Sequence, residues 1–293
     1  MKTIVDIGNT NTKYCLWSDE KGALASGKCP TSSALFQVIE TELARLHPKD
    51  CPPFQWSGAQ VVVSSVVPAV GQDFVKQATA AGASVLEISA RTQTVLKGMS
   101  HEYGADRVAE AVGAWSTHKV EGRPMVILGF GTATTLFTIQ ADGSVGGGFI
   151  GPGVKMLLTA LSRDCALLPE VRLPDSVEEM NLGFTTESQM TGGVSLMFKG
   201  MVQEWLAKAR SALTGEPVVV ATGGYAAVVA RLLPGLFGAV DQTLAIKGCA
   251  YLAGLAAAKT ETAPAETTPA ARADCATETA QTAAPVAAAE SEA

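Results

Sequence analysis

Met1-Lys2-Thr3-Ile4-Val5-Asp6-Ile7-Gly8-Asn9-Thr10-Asn11-Thr12-Lys13 opens the chain, and its reading decides the fold. Residues 2–7 form a short β-branched run with the composition of a buried strand. Asp6 closes that run, where a carboxylate can emerge at the strand's C-terminal end. Gly8, Asn9 and Thr10 make a tight polar turn before Tyr14-Cys15-Leu16-Trp17 begins a second strand. Glycine permits close backbone approach, and Asn and Thr place side-chain donors beside free N–H groups. Such a turn can hold phosphate oxygens while the carboxylate holds Mg²⁺ or its water. An ordinary hairpin with a solvated turn satisfies the same residues, and the stretch is not a Walker P-loop.

The pattern returns in the second half. Pro124-Met125-Val126-Ile127-Leu128 reads as a buried strand, Gly129-Phe130-Gly131-Thr132-Ala133-Thr134-Thr135 as a Gly/Thr turn, and Leu136-Phe137-Thr138-Ile139 as the return strand. A third strand leads into Gly146-Gly147-Gly148-Phe149-Ile150. Strand, small polar turn and strand occurring twice suggest an internal duplication: two lobes, each offering a phosphate-sized turn to one cleft.

Between and after these repeats the chain alternates strand and helix, which predicts an α/β architecture. Helices are predicted over 32–46 (ended by His47-Pro48), 72–81, 154–161 and 243–258, with strands over 60–67, 84–88 and 216–221. Residues 51–58 read as a loop, as does Asn181 through Thr186. Asp106 is placed as the N-cap of a helix whose Val108, Val112 and Trp115 share one face. Asp106 and Arg107 could be only a cap and a surface charge. Presented together, they could also be a base for a hydroxyl proton and a holder of a polar or anionic group. Val194, Met197, Phe198, Met201, Trp205 and Leu206 recur at helical spacing and read as core. Thr222-Gly223-Gly224-Tyr225 joins a strand to a helix, where a flat ring or a phosphate could approach the backbone.

At 293 residues and 47% hydrophobic, the chain can bury a substantial core in two lobes. No signal peptide or bilayer-spanning stretch is expected. The six cysteines are scattered, with no CxxC pair and no metal-ligand spacing, and read as reduced thiols of a cytoplasmic protein. Five of the six net negative charges fall from Thr260 onward, so the body is nearly neutral and lacks the basic excess of a nucleic-acid binder. The tail, 260–293, is Ala/Thr/Glu/Pro-rich without an aromatic residue, and disorder is expected there. The expected organisation is an N-terminal lobe over 1–118, a C-terminal lobe over 119–259 and this acidic tail.

Five stretches carry a resemblance in a fixed order: Asp6-Ile7-Gly8-Asn9-Thr10, Gly104-Ala105-Asp106-Arg107, Gly131-Thr132-Ala133-Thr134-Thr135, Gly147-Gly148 with Pro152-Gly153, and Thr222-Gly223-Gly224. Together they resemble the type III pantothenate kinases, within the superfamily of acetate and sugar kinases, heat-shock chaperone ATPases and actin. The resemblance covers the chain to about Lys259. It implies two ribonuclease-H-like lobes around a nucleotide cleft, and phosphorylation of pantothenate to 4′-phosphopantothenate, the first step of coenzyme A biosynthesis.

It also implies residue roles. Asp6, Ile7, Gly8, Asn9, Thr10, Asn11, Thr12, Lys13 and Thr132 would contact ATP phosphates, and Gly223 and Gly224 the adenosine. Asp106 would be the general base, and Asp6 would orient Mg²⁺. Gly104, Ala105, Arg107, Thr186 and Tyr103 would position pantothenate beside Asp106. Family members are homodimers whose substrate pocket is completed near the subunit interface.

Three departures stand out. The second turn of the family begins with Asp, in an Asp-x-Gly-Thr-Ala pattern, where Gly129 stands here. That carboxylate is the one expected to hold an activating potassium or ammonium ion. The loop before Gly104 is shortened, so that Tyr103 abuts the motif, and Tyr225 replaces an Asp often found after the Gly-Gly pair. The competing reading is a non-catalytic paralogue, of the transcription-accessory type, that keeps the fold without turnover.

Overall fold

β1 (Lys2–Ile7) is buried along its whole length because it is an interior strand, paired antiparallel to β2 (Asn11–Ser18) and parallel to β4 (Gln60–Ser65). β3 (Gly22–Pro30) extends the sheet beyond β2, and β5 (Ser84–Glu87) beyond β4, giving the order β3-β2-β1-β4-β5. The computed structural model describes residues 1–46, 53–173 and 182–262, side chains of 260–262 excepted.

The second sheet repeats this plan. β6 (Met125–Phe130) pairs antiparallel with β7 (Ala133–Ile139) and parallel with β9 (Val218–Thr222). β8 (Val145–Pro152) lies outside β7, and β10 (Ala239–Val240) outside β9. The two sheets therefore share strand order and strand direction, the expected duplication.

Strand periodicity of two sorts the side chains of each sheet onto opposite faces. In the first sheet Val5 and Ile7 pack outward under α1 (Leu35–Leu46) and α2 (Pro68–Ala80), while Ile4 and Val62 face inward. In the second, Val126, Leu128 and Phe130 pack outward under α4 (Val154–Asp164), α5 (Thr186–Ala212) and α6 (Ala226–Leu232), while Met125 and Ile127 face inward. Between the inner faces lie α3 (Ala105–His118) and α7 (Leu244–Thr262), completing one shared core. These two helices cross closely. A Cβ on Gly113 would run into the Leu244 carbonyl, and one on Gly248 into that of Ala109. Asp241 fastens the same pair of helices. Its carboxylate accepts from Lys247 Nζ at 2.6 Å and from Thr243 N–H at 2.9 Å, and lies 3.0 Å from His118 Nε2. Burial alone would raise Asp241, but these partners hold it well below the usual carboxylate range.

Several expectations need correction. β2 begins at Asn11 and β7 at Ala133, so Gly129 and Phe130 belong to strand β6 and the second turn is only Gly131-Thr132. β4 ends at Ser65 because Pro68 starts α2, its fixed φ suiting the first helical turn. Asp106 is not the N-cap of α3. Gly104 holds that position in an extended conformation, without a side-chain cap, and Asp106 lies in the first turn. α7 runs to Thr262, three residues into the stretch read as tail. The predicted end of α1 at His47-Pro48, the beginning of the loops at Cys51 and Asn181, and the tail from 263 lie outside the described residues.

Candidate active site

The turn after β1 and the turn after β6 meet at one place. Gly8 N–H closes the first on the Asn11 carbonyl at 3.1 Å, and Gly131 N–H closes the second on the Ala133 carbonyl at 3.0 Å. Their exposed threonines touch, with Thr10 Oγ1 and Thr132 Oγ1 3.0 Å apart. Thr31 braces the first turn from behind, its hydroxyl donating to the Gly8 carbonyl at 2.7 Å and its N–H to the Thr10 carbonyl at 3.2 Å. Of the residues expected at the phosphates, Gly8, Asn9, Thr10, Asn11 and Thr132 lie on or beside these turns. Ile7 and Thr12 do not offer side chains there. Ile7 is in the outer core, and the wholly buried Thr12 hydroxyl pairs with Thr31 Oγ1 at 2.9 Å.

Lys13 faces the inner side. It interacts electrostatically with Asp6 and Glu110, and its Nζ reaches the Gln242 carbonyl at 3.4 Å. Gln242 in turn donates to the Gly223 carbonyl at 3.2 Å, tying the first turn to the Gly223-Gly224 turn. Gly223 has φ +95°, and a Cβ there would press on the Phe130 backbone, so the sharp exit from β9 over β6 requires glycine. Gly224 is exposed beside it.

Three carboxyls converge between the lobes. Asp6 is 9% exposed and accepts from Ser64 Oγ at 3.0 Å. Burial pushes its pKa to about 6, with Lys13 and Ser64 pulling down and Asp106 pushing up. Burial likewise raises Asp106, against the Arg107 N–H that donates to its Oδ1 at 2.7 Å and the Arg107 charge. A Cβ at Gly104 would lie 2.8 Å from that Oδ1, so the glycine leaves the carboxylate its room. Glu110, one helical turn beyond Asp106, is pushed up to about 8 by burial, then by Asp106 and Asp6, with Lys13 and Arg107 opposing. With no cation beside it, the group is held toward its protonated form near neutral pH.

Arg107 lies under an aromatic shelf. Its guanidinium sits 4.7 Å from the Tyr103 ring centroid and 5.8 Å from that of Phe137, and the two rings meet edge-on at 5.1 Å. Its Nη2 donates to the Leu136 carbonyl at 3.4 Å, while its buried Nε has no partner among the described residues. Ala105 is half-buried in the first turn of α3. Thr186 stands apart. It is the exposed first residue of α5, and no hydrogen bond links it to the cleft among the described residues.

Glu110, Ser64, Gln242 and Phe137 were not singled out from the sequence. Glu110 alone left a signal there, a lone acid in the apolar run Val108-Ala109-Glu110-Ala111-Val112. Asp6 fits Mg²⁺, which takes one or two carboxylates and fills its shell with water and phosphate oxygens. Among the described residues no three His, Cys, Asp or Glu side chains form a metal cage, and no helix is long and apolar enough to cross a membrane.

A family profile for type III pantothenate kinases matches residues 3–208. The chain belongs to that family. The type III pantothenate kinase of Sphingopyxis alaskensis is 31% identical over 264 residues, which are 86% of this chain and 97% of that protein. The Thermus thermophilus enzyme of the same name is 32% identical over 257 residues, or 85% and 96%. A solved structure, AMPPNP-bound MreB 5 of Spiroplasma citri, shares the two-lobed fold at TM-score 0.51 and 10% identity, covering 89% of this chain and 98% of that one. β6 of this kinase carries Gly129 on the inner face, and a Cβ built there would lie 2.6 Å from Thr135 Oγ1 and 3.3 Å from Glu110 Oε2.

Proposed function

We propose a division of labour in the cleft for the family's reaction, ATP-dependent phosphorylation of pantothenate to 4′-phosphopantothenate in coenzyme A biosynthesis. The chain is a phosphotransferase acting on an alcohol group. The observation that carries the reading is the meeting of Thr10 and Thr132, one Gly/Thr turn from each lobe, with Asp106 of α3 close enough to Asp6, which precedes the first turn, to act on its charge. Backbone N–H groups and hydroxyls of the two turns hold the ATP phosphates, with Lys13 adding positive charge. Gly223 and Gly224 take the adenosine end. Arg107, with its unpartnered Nε, holds a polar group of pantothenate, and Tyr103 steadies the guanidinium from its face.

Asp106 accepts the proton of the primary hydroxyl as its oxygen attacks the γ-phosphorus. The bond from γ-phosphorus to the bridging oxygen breaks in line, and ADP leaves with that electron pair. Asp6 would hold Mg²⁺, which would neutralise the charge of the β- and γ-phosphates. Gly129 offers no oxygen side chain to a monovalent cation, and the nearest carboxylate oxygen is that of Glu110.

The active form in this proposal is a homodimer. β8, α4, α5 and the segments flanking those helices expose the large apolar side chains Ile150, Met156, Leu167, Leu182, Phe184 and Met197. A second copy covering it would bring the exposed start of α5, with Thr186, into a pocket shared by two subunits. The lobes of the proposal are 1–118 and 119–259, held together by α3 and α7. We place the protein in the cytoplasm, where the buried free thiols of Cys15, Cys29 and Cys249 stay reduced.

The test is incubation of purified protein with Mg-ATP and pantothenate, following ADP and phosphorylated pantothenate, with size-exclusion light scattering for the dimer. Stoichiometric formation of both products supports the reading. ATP binding without product overturns it.

A further inference from the structure

Gly129 lies on β6 opposite Thr135 of β7, and both face α3 rather than the outer helices. A Cβ at 129 would overlap Thr135 Oγ1 at 2.6 Å and lie 3.3 Å from Glu110 Oε2, so these two oxygens approach one point over Gly129. Glu110 reaches it from α3, one turn beyond Asp106, in a neighbourhood that also contains Asp6, Lys13 and Arg107. The Glu110 side chain is half-buried and interacts with Asp106 and Asp6, whereas its chain neighbours Val108, Ala109, Ala111 and Val112 are buried in the shared core, so it points to the cleft and not into their packing.

We propose that Glu110 supplies from α3 the carboxylate oxygen that position 129 lacks, and with Thr135 Oγ1 provides the protein oxygens for the monovalent cation of the phosphoryl-transfer cleft. The inference rests on the kinase reading for the purpose of that cation, but not for its site. Hard monovalent cations take oxygen donors such as carboxylate and hydroxyl. The carboxylate has changed its element of origin while keeping its place in the cleft. It follows that residues 110 and 129 are coupled: an Asp at 129 beside an intact Glu110 would crowd two carboxyls into one space.

The experiment uses five full-length proteins: wild type, Glu110→Gln, Gly129→Asp, the double variant and Gly129→Ala. Gly129→Ala reports whether a Cβ is accommodated once the Thr135 hydroxyl rotates away. Each is melted in potassium chloride and in choline chloride at equal ionic strength, without and with AMPPNP, and kcat is measured in both salts. A site filled at several times its dissociation constant raises Tm by roughly 2–4 °C.

The expected result is a potassium-specific rise in wild type, its loss in Glu110→Gln, and its return in the double variant. Glu110→Gln is also expected to lose at least about tenfold in kcat. Potassium stabilising Glu110→Gln as much as wild type, or not stabilising wild type at all, overturns the proposal. A double variant that folds as well as Gly129→Ala yet ignores potassium overturns it too. Because melting needs no turnover, an inactive but potassium-responsive wild type would sink the kinase reading and leave the cation site standing.

Discussion

Thr10 Oγ1 and Thr132 Oγ1 stand 3.0 Å apart although 122 residues separate them, each at the tip of the turn that leaves the central strand of its lobe. The contact is the point where the duplicated halves come face to face. It is exposed, so its own contribution to stability is small; in the proposed site its value would lie in presenting two hydroxyls to one phosphate group.

Thr132→Val keeps the shape and removes one hydroxyl. The apparent KM for ATP should rise about tenfold, in line with one lost hydrogen bond to a charged group. Tm should move by no more than about 2 °C. Unchanged ATP kinetics would remove Thr132 from the phosphate site.

Asp106→Asn can keep the acceptor oxygen that Arg107 N–H uses at 2.7 Å, so the first turn of α3 should survive. It cannot take the hydroxyl proton. kcat should fall by about 10²–10⁴ with little change in pantothenate KM. Circular dichroism and melting establish the intact fold, and an Asn variant that turns over normally would exclude Asp106 as the base.

In the proposed site Tyr103 would act on the substrate through Arg107, whose guanidinium lies 4.7 Å from its ring. Tyr103→Leu should raise pantothenate KM about fivefold, the scale of one partly desolvated cation–π contact, while leaving kcat nearly unaltered. Tyr103→Phe keeps the ring face and should behave as wild type. A Phe variant as impaired as the Leu variant would assign the effect to the hydroxyl instead.

The raised carboxyls give stability a definite pH dependence. Asp6 and Glu110 hold their protons to about 6 and about 8 in the folded chain, against ordinary values of 3.8 and 4.5. The native state therefore binds more protons than the unfolded state between about pH 4 and pH 8. Their contribution is fully present below that window and is lost as pH rises through it. In potassium-free buffer, Glu110→Gln should flatten the decline of Tm between pH 6 and pH 8. A wild type and variant whose melting temperatures run parallel over that range would show that Glu110 does not titrate there.

Much of this was legible in the chain. The β-branched runs at Ile4-Val5 and Val126-Ile127-Leu128 announce interior strands, and a Gly/Thr turn after each announces two related lobes. β3 went unread because Gly22–Pro30 is half-buried at a sheet edge, and its small residues show no alternation. The resemblance groups Ile7 and Thr12 with the phosphate turn, whereas the two-residue period of a strand turns their side chains into the core. Asp106 was read as a cap because acids favour helix starts, but Gly104 in its extended conformation already ends the loop. The pairing of Glu110 with Gly129 lay beyond any local pattern, since it spans two elements that meet only when the lobes close on α3 and α7.

That closure sets the order in which the protein can be made. The inner face of the first sheet, with Ile4, Cys15 and Val62, is covered in part by α7, the last described element of the chain. While a ribosome is still synthesising residues 119–243, the N-terminal half therefore has α3 but not α7 to lay on that apolar face. Long-range contacts of this kind slow folding and leave sticky surfaces exposed meanwhile. The nascent first lobe is thus a natural client for a chaperone until Leu244–Thr262 arrives to seat between the sheets.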